Sequence, residues 1–593
     1  MFLLTRYLPI YLGSVVIFLL ASLYCHAKDL SKELPPEAAS GLTQKVTAVG
    51  EKMMAVTANK YATQVAMSVL EQGGSALDAA IAAQMMLGLV EPQSSGIGGG
   101  AFLLYWDNKQ KTIHSYDGRE TAPQALAENH FLDNDLQPMN FFDAVIGGHA
   151  VGVPGVLKML DLAHQEHGKL PWARLFKETI TLATNGFPVS ARLHELLKST
   201  PIEYAEVATN PDIKNYFYLQ DGNPVPTGHL LKNLSYAKTL QTISAKGVDA
   251  FYDGEISQHI VERLQNDPHH KSLMTLDDLK NYRAIKRDAV CGAYLIYKVC
   301  GAAPPTSGGI TVLAILGMIN QYDLTNYAVN SAPLIHLFAE TSKLAFADRN
   351  KYIADPAFVN VPTQALIDAD YLAQRAQQIE LNKTIEAKPG AVKLFGDRIN
   401  WGVSNSPELP STSHLSIVDQ WGNAVSMTTS IETAFGSRVM VDGFLLNNQL
   451  TDFAFTPREN NEYIANRVQG GKRPRSSMSP IIVLNPNNSL RLIVGSPGGA
   501  RIIDYTAKTI IYHLAKDLSL TEAVAAPNIV DRNDNVLELE TGYFDQALID
   551  SLMKLGHTVK ITNQTSGINT ISFEHGKIYG VADPRREGLA AGI

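Results

Sequence analysis

Residues 409 to 430 read LPSTSHLSIVDQWGNAVSMTTS, a cluster of hydroxyl residues followed by two runs in which apolar and polar residues alternate. Alternation with a period of two is typical of strands, and the QWGN segment between the runs is typical of a turn. The stretch therefore predicts a strand, a turn and a second strand. Ser411, Thr412 and Ser413 stand at the start of the first strand.

The rest of the chain mixes helical and strand patterns. NKYATQVAMSVLEQ and SALDAAIAAQMMLGLV read as two helices, with Ser75 as the N-cap of the second and Asp78 three residues on. SPIIVLNPNNSLRLIVGS reads as two strands about a polar turn, and DYTAKTIIYHLAKD as a helix. This order favours antiparallel sheet covered by helices. Residues 388–411 lack periodicity and predict a long exposed connection that leads to Thr412.

Composition and charge narrow the class of protein. A chain of 593 residues with 45% hydrophobic content can bury a large core. The formal charge of -8 and the lack of a long Lys/Arg run argue against nucleic acid as a partner. Residues 1–27 read as a cleavable signal peptide and predict export to the periplasm or outside the cell. The alternative is a retained membrane anchor, for which the apolar stretch is short.

Two cysteines, Cys291 and Cys300, follow the predicted cleavage point and flank a strand-like run. An oxidising compartment could pair them, but pairing needs a bend that the sequence does not specify. A structural role or a free thiol is favoured over a catalytic role, and the pairing itself stays open.

A hydroxyl is a poor nucleophile until a base removes its proton, so the cluster at 411–413 needs a partner. Ser413 and His414 are adjacent on a predicted strand, point to opposite faces and should not meet. No GxSxG motif occurs here. Cleavage before the nucleophile offers another solution, because the freed α-amine has a pKa of about 7.7–8.0 and can act as the base. Spacing alone does not select Thr412 for this role.

A set of motifs in register resembles the γ-glutamyltranspeptidase family. In the second part of the chain these are TSHLSIVDQWGNAVSMTTSIETAFGS, GFLLNNQLTDF, KRPRSSMSP and GSPGGARII. In the first part, GIGGGAF, GRETAP, GVPG and PPTSGG match the same family in the same order. The resemblance covers almost the whole chain after residue 27.

The resemblance implies an N-terminal-nucleophile hydrolase, an α/β protein with a four-layer α/β/β/α sandwich of antiparallel sheets. It implies one precursor that cuts itself between Ser411 and Thr412. The products would be a large subunit, residues 28–411, and a small subunit, residues 412–593, which stay interlocked. The same threonine oxygen would then attack the γ-amide of a donor such as glutathione. Water, an amino acid or a peptide would release the γ-glutamyl group.

Matching positions carry over the other roles. Gly498 and Gly499 match the oxyanion hole, where backbone N–H groups stabilise developing negative charge. Arg119 matches the arginine that binds the donor's α-carboxylate, and a guanidinium suits that group. Ser476 and Ser477 match the hydroxyls that support this carboxylate. Asp452 matches the acid that holds the α-ammonium, with Gln449 beside it.

Three features depart from the family pattern. Glu432 occupies a position where many members have Asn, and its charge should strengthen binding of an ammonium. Ser430 replaces a second threonine thought to assist the nucleophile, and it keeps the hydroxyl. The segment 454–471 is intermediate in length between members with and without a lid over the pocket. The sequence leaves open whether Tyr463 serves as a lid residue.

Two other motifs could indicate a cofactor or a metal ion, but neither meets the requirements of such a site, so no cofactor or metal is predicted. GIGGGA at 96–101 imitates a dinucleotide-binding fingerprint but follows a helical run and precedes a strand, which is the reverse of the required order. His164 and His167 lie at helical spacing, yet two ligands do not make a zinc site.

Two alternatives to a γ-glutamyl enzyme remain. One is a related glutaryl or cephalosporin-type acylase, against which Asp452 argues because a donor without an α-amine would leave that carboxylate unpaired. The other is an inactive exported binding protein on the same fold, against which Thr412, Gly498 and Gly499 argue.

Overall fold

The strand pair predicted around residue 420 forms a hairpin in the computed structural model, which describes residues 42–199, 211–394, 397–398, 400–404, 406 and 411–593. Ser413–Val418 pairs antiparallel with Ala424–Ser430, and Ser413 lies opposite Thr429. At the turn, Asp419 accepts hydrogen bonds from the backbone N–H groups of Trp421 and Asn423. Gly422 has φ +77, a conformation that glycine adopts without steric cost.

Two seven-stranded sheets form the centre of the fold, and every strand pair within them is antiparallel. The hairpin lies in the middle of one, here called the nucleophile sheet, whose strands in spatial order are Leu589–Gly592, Met54–Thr57, Ser413–Val418, Ala424–Ser430, Gly100–Asp107, Thr112–Gly118 and Ile285–Asp288. The strands of the other, here called the second sheet, are Ala48–Gly50, Lys577–Ala582, Asn569–Glu574, Leu490–Val494, Ile481–Leu484, Tyr297–Gly301 and Val290–Tyr294.

The two sheets pack face to face through an apolar layer. Phe102, Leu104 and Trp106 point into it from the nucleophile sheet, and Ile482 and Ile493 from the second sheet. Spacing by two residues is what the strand period requires of one face. The residues between them point outward into two larger clusters, so each sheet is buried on both faces.

Helices cover both outer faces. Lys60–Glu71, Ala76–Val90 and Val156–His167 pack on the nucleophile sheet, and Gly308–Ile319 packs on the second sheet with Ala332–Tyr352 and Ile502–Leu514 beside it. Ser75 caps Ala76–Val90 in a capping box with Asp78, as predicted. The order of layers is helix, sheet, sheet, helix, as the family resemblance implies.

The other described elements are short strands and peripheral helices. The strands are Phe187–Pro188, Leu230–Leu231, Lys393–Leu394, Asp397–Arg398, Met440–Val441, Phe444–Leu445, Arg458–Glu459, Glu462–Tyr463, Ile529–Val530, Leu537–Glu540 and Val559–Thr562. The helices are Phe141–Ala144, Lys177–Asn185, Ala191–Ser199, Pro211–Phe217, Leu234–Lys246, Asp249–Tyr252, Glu255–Gln265, Leu276–Asn281, Thr363–Leu366, Ala369–Ala376, Leu520–Ala525 and Gln546–Lys554.

Cys291 and Cys300 form a disulfide across neighbouring strands of the second sheet. They are directly opposite each other, with Cα atoms 4.1 Å apart, so the hairpin supplies the bend that pairing needs. The predicted signal peptide, residues 1–27, lies outside the described residues. Within the part of the chain that the structure describes, no helix has the length and apolar character needed to cross a bilayer.

Candidate active site

Two hydroxyls converge on the carbonyl of Ser411. Thr412 immediately precedes Ser413–Val418, and Ser430 ends the adjacent strand. The Thr412 hydroxyl donates to the Ser411 carbonyl oxygen and lies 3.2 Å from Ser430 Oγ. Ser430 Oγ in turn donates to the same carbonyl at 3.0 Å. The strand pairing therefore brings a nucleophile and a supporting hydroxyl to one peptide bond.

Further hydrogen bonds fix the residues around this bond. The backbone N–H of Glu432 donates to Ser430 Oγ at 2.9 Å, so the Ser430 oxygen is held from the far side. Ser411 Oγ donates to the Gln93 carbonyl at 2.9 Å, and Arg586 Nη1 donates to the Thr412 carbonyl at 3.3 Å. Ser411, Thr412 and Ser430 are all buried, so water competes little for these contacts.

His414 is excluded as a base for Thr412 because both of its ring nitrogens contact other hydroxyl groups. Its Nδ1 lies 2.8 Å from Thr428 Oγ1, and its Nε2 lies 3.2 Å from Ser416 Oγ. Complete burial lowers the pKa of His414 to about 3, because the charged imidazolium loses hydration. The ring is a neutral part of the core between the sheets.

A small cavity of about 10 Å³ opens beside Thr412. That volume is close to the minimum for one water molecule. It is lined by Thr412, Ser430, Glu432, Gln449, Asp452, Ser476, Ser477, Met478, Gly499 and Ile502. Eight of the ten predicted site residues thus share one cavity wall, while Arg119 and Gly498 lie outside the lining.

Arg119 lies behind the cavity and contacts its wall through Asp452. Arg119 Nη2 forms an ion pair with Asp452 Oδ2, and the guanidinium also donates to the carbonyls of Pro474 and Arg475. Burial acts to lower the pKa of Arg119, but nearby carboxylates, with Asp452 the strongest, outweigh it and raise that pKa above its usual value. The guanidinium stays charged, and in this structure its carboxylate partner is Asp452.

Glu432 and Gln449 form a second polar pair on the wall. Gln449 Nε2 donates to Glu432 Oε2 at 2.9 Å. The Glu432 backbone has φ +80, a left-handed conformation that is uncommon outside glycine and costs on the order of 1–3 kcal/mol. Such strain concentrates at functional sites, and here it accompanies the hydrogen bond from the Glu432 N–H to Ser430.

Ser476 and Ser477 are supported from the helical layer. Ser307 donates from both its backbone N–H and its hydroxyl to the Ser476 carbonyl, each at 2.7 Å. Arg349 donates to Ser477 Oγ at 2.5 Å and to Ser307 Oγ at 2.8 Å. The PPTSGG motif, which contains Ser307, thus acts behind the cavity wall.

Gly498 and Gly499 form the turn between Leu490–Val494 and Ile502–Leu514. Both have positive φ, +137 and +61. A Cβ on Gly498 would lie 2.8 Å from the Tyr505 ring, so any larger residue would push that ring away. Gly499 is on the cavity wall beside Thr412, with Gly498 next to it in the chain.

The family model for gamma-glutamyltranspeptidase matches residues 62–593. The chain belongs to the gamma-glutamyltranspeptidase family. A glutathione hydrolase proenzyme of Bacillus subtilis strain 168 is 37% identical over 560 residues, 92% of this chain and 92% of that one. A protein of the same name from Escherichia coli K12 is 33% identical over 599 residues, 98% of this chain and 99% of that one.

Among solved structures, a cephalosporin acylase from Bacillus halodurans is similar in fold, with a TM-score of 0.81 at 23% identity over 95% of this chain and 99% of that chain. The predicted N-terminal-nucleophile hydrolase fold is confirmed, and the chain is an enzyme of the gamma-glutamyltranspeptidase family.

In this member of the gamma-glutamyltranspeptidase family, hydrogen bonds join the start of the segment 454–471 to Asn466. The Ala454 N–H donates to the Asn466 carbonyl, and Asn466 Nδ2 donates to the Asp452 carbonyl at 2.7 Å. Tyr463 lies between two guanidinium groups, 3.6 Å from Arg458 and 4.5 Å from Arg467. Its ring is outside the cavity lining, so it does not cover the site in this conformation.

Sequence reasoning missed three residues here. Met478 and Ile502 line the cavity, but an apolar side chain carries no chemical signal beyond its place next to a motif. Glu120, fully buried beside Arg119, lies 3.5 Å from Arg119 Nη1. Burial raises the pKa of Glu120 to about 8, against the opposing effect of Arg119. It stands within the GRETAP motif, yet only the structure reveals its burial.

Proposed function

We propose that Thr412 cuts the Ser411–Thr412 bond and then serves as the nucleophile of a γ-glutamyltransferase and glutathione hydrolase. The observation that carries this is the hydrogen bond from the Thr412 hydroxyl to the Ser411 carbonyl, with Ser430 on the same oxygen. Membership of the gamma-glutamyltranspeptidase family and relatives named as proenzymes support both steps.

In the first step, Thr412 Oγ attacks the carbonyl carbon of Ser411. Ser430 Oγ accepts the Thr412 proton while its own proton passes to the Ser411 oxygen, so a neutral tetrahedral intermediate forms. The C–N bond then breaks as the proton on the former Ser411 carbonyl oxygen passes to the Thr412 nitrogen, and an ester joins Ser411 to Thr412 Oγ. Water hydrolyses the ester and leaves a free α-amine on Thr412.

In the second step, that amine takes the hydroxyl proton, since an α-amine with a pKa near 7.7–8.0 is suited to general base catalysis at neutral pH. Thr412 Oγ attacks the γ-amide of the donor, and the backbone N–H groups of Gly498 and Gly499 stabilise the oxyanion. The leaving amine departs with the proton. Water or the amine of an amino acid or peptide then attacks the γ-glutamyl ester and restores the hydroxyl.

The charges at the cavity suit the α-carbon end of a γ-glutamyl donor. Asp452 and Glu432 supply carboxylates for its ammonium, with Gln449 beside them, while Arg119, Ser476 and Ser477 supply donors for its carboxylate. A cavity of about 10 Å³ cannot hold a glutamyl group. We therefore expect donor binding only after the chain is cut and Asp452 moves relative to Arg119.

The acylase alternative differs at the same carboxylates. A glutaryl donor lacks the α-ammonium, so it would bury Asp452 and Glu432 without a cation from the substrate. Export, with removal of residues 1–27, is part of the proposal and agrees with a disulfide between Cys291 and Cys300.

The test is a donor assay with paired variants. Purified protein should release product from glutathione and from a γ-glutamyl anilide, and much less from the glutaryl analogue. Thr412→Ala should stay uncut and inactive, whereas Thr412→Ser should keep both reactions. A cut and active Thr412→Ala protein would overturn the assignment, and equal turnover of the glutaryl analogue would favour the acylase.

A further inference from the structure

A buried cluster lies on the helix Ala332–Tyr352, away from the residues that line the Thr412 cavity. His336 and Glu340 are four residues apart on this helix, so their side chains lie on one face. His557, from the segment after Gln546–Lys554, meets them there. His336 Nδ1 is 2.7 Å from His557 Nε2, which is 3.9 Å from Glu340 Oε1. All three ligand atoms lie within 4.8 Å of one another.

The hydrogen bonds define the protonation of both imidazoles. His336 Nε2 is 2.8 Å from the Glu380 carbonyl, which can only accept, so Nε2 carries a proton, and in the neutral tautomer Nδ1 presents a lone pair. His557 Nε2 must then be the donor to His336 Nδ1.

We propose that His336 Nδ1, His557 Nε2 and Glu340 Oε1 bind a divalent transition-metal ion of the zinc class. Tetrahedral zinc with ligands at about 2.0–2.2 Å requires ligand atoms to be about 3.3 Å apart. These two separations, 2.7 and 3.9 Å, lie on either side of that value, and each would have to change by about 0.6 Å for the ion to bind. The His557 proton would move from Nε2 to Nδ1, with no net release.

The surroundings orient these ligands. The Glu380 carbonyl fixes the His336 ring, as carbonyls commonly do for metal-bound histidines. Thr384 Oγ1 and the Ile385 N–H donate to the two oxygens of Glu340 at 2.7 and 3.0 Å, so the carboxylate is held in place. A cavity of about 260 Å³ touches His557 and provides room for a water as the fourth ligand.

The positive charge of Lys343 lies next to the proposed metal site and disfavours binding of a cation there. Its ammonium lies 2.6 Å from Glu340 Oε1 and also donates to the Ile385 carbonyl at 2.8 Å. An incoming cation must share the carboxylate with this ammonium, so Lys343 should weaken the affinity. Removal of the Lys343 ammonium should therefore strengthen metal binding, whereas removal of a ligand should weaken it.

The three ligands come from both sides of the proposed cleavage point, so a bound ion would link the two subunits. His336 and Glu340 precede residue 411 and His557 follows it, so a bound ion would join the two chains that the proposed cleavage produces. This use rests on the proposed function, but metal binding does not, because the three ligands meet in the uncut chain.

The experiment is a calorimetric titration of chelator-treated full-length protein with Zn²⁺, repeated on the uncut Thr412→Ala variant. We expect one equivalent to bind in both. His557→Gln should weaken binding at least about 10-fold, the lower end of losses at metal sites. Lys343→Met should strengthen it, and His259→Gln, a partly exposed histidine at another cavity, should leave it unchanged.

Melting temperature provides the second measurement, since a ligand that binds the folded state raises it. Zn²⁺ should raise the melting temperature of the wild type and not that of His557→Gln. No binding to the wild type, or equal affinity in the wild type and His557→Gln, would overturn the site. A failure of Thr412→Ala to stay uncut would count against the proposed function alone.

Discussion

Two buried arginines, Arg119 and Arg585, show how a binding pocket differs from a structural ion pair. Arg585 contacts Glu540 through Nε and Nη2 at 2.5 and 2.8 Å, and its Nη1 donates to Asp583. Three backbone carbonyls complete its shell. Every nitrogen of this guanidinium has a partner.

Arg119 is equally buried but less saturated. Its Nη1 makes no hydrogen bond with the described residues, and the nearest carboxylate oxygen, from Glu120, is 3.5 Å away. Its ion-pair partner Asp452 faces the cavity beside Thr412. Arg585 is saturated by partners within the fold, whereas we propose that Arg119 and Asp452 exchange partners with a ligand.

The largest expected effect is the loss of stability when Arg585, whose guanidinium is fully hydrogen-bonded, is replaced. Arg585→Met leaves Glu540 buried without its cation, which should lower the free energy of unfolding by about 3–5 kcal/mol. Calorimetry should show a large drop in melting temperature, with KM for the donor unchanged in protein that folds. Lys280→Met, which breaks an exposed pair with Asp253, is the control and should change nothing measurable. An equal loss of stability in Arg585→Met and Lys280→Met would contradict the structural role given to Arg585.

Asp452→Asn tests the other half of the comparison. Losing a charge that holds the donor's ammonium should lower kcat/KM for glutathione by about 10²–10³-fold, since breaking a buried charge pair costs about 2–5 kcal/mol. Self-cleavage should persist, and turnover of a glutaryl analogue should not fall. Unchanged glutathione kinetics would mean that the ammonium binds elsewhere.

Ser430→Ala tests whether the Ser430 hydroxyl assists cleavage of the Ser411–Thr412 bond. Removing one of the hydrogen-bond donors to the Ser411 carbonyl should slow self-cleavage by about 100-fold, the usual cost of losing an oxyanion donor. Gel analysis of freshly purified protein over time gives the rate. Ser413→Ala is the matched control, because the Ser413 hydroxyl has no hydrogen-bond partner within the described chain. Equal rates in both variants would exclude Ser430 from the step.

Glu120→Gln tests the charge around Arg119. The pKa of Glu120 is about 8 in the folded protein against 4.5 for an ordinary glutamate. Between these values the folded chain keeps a proton that the unfolded chain has lost, so stability falls as the pH rises from about 4.5 to about 8. The variant should gain melting temperature relative to the wild type across this range. Glu71→Gln, at an exposed glutamate, is the control, and a difference in melting temperature between Glu120→Gln and the wild type that does not change with pH would contradict the raised pKa.

Local patterns were enough to predict the elements that carry the nucleophile. Alternation and the turn before Asn423 predicted the hairpin, and Ser75 with Asp78 predicted a helix start, because these signals involve neighbours in the chain. Eight of the residues selected by the motif resemblance lie together on one cavity wall in the structure.

Contacts between distant residues could not be read in the same way. Arg119 and Asp452 are 333 residues apart, and their mutual ion pair depends on how the GRETAP and NNQLTDF motifs pack. His336 and His557 are 221 residues apart and belong to no shared pattern. Pairing of Cys291 with Cys300 required the strand register, which the sequence left open.

Thr412 should become the N-terminal residue of a separate chain, and mass analysis of the purified protein with N-terminal sequencing of each piece will show whether it does. We predict two chains, the smaller one beginning TSHLSIVD and ending at residue 593. A single intact chain that nevertheless hydrolyses glutathione, or a cut at another bond, would contradict the account.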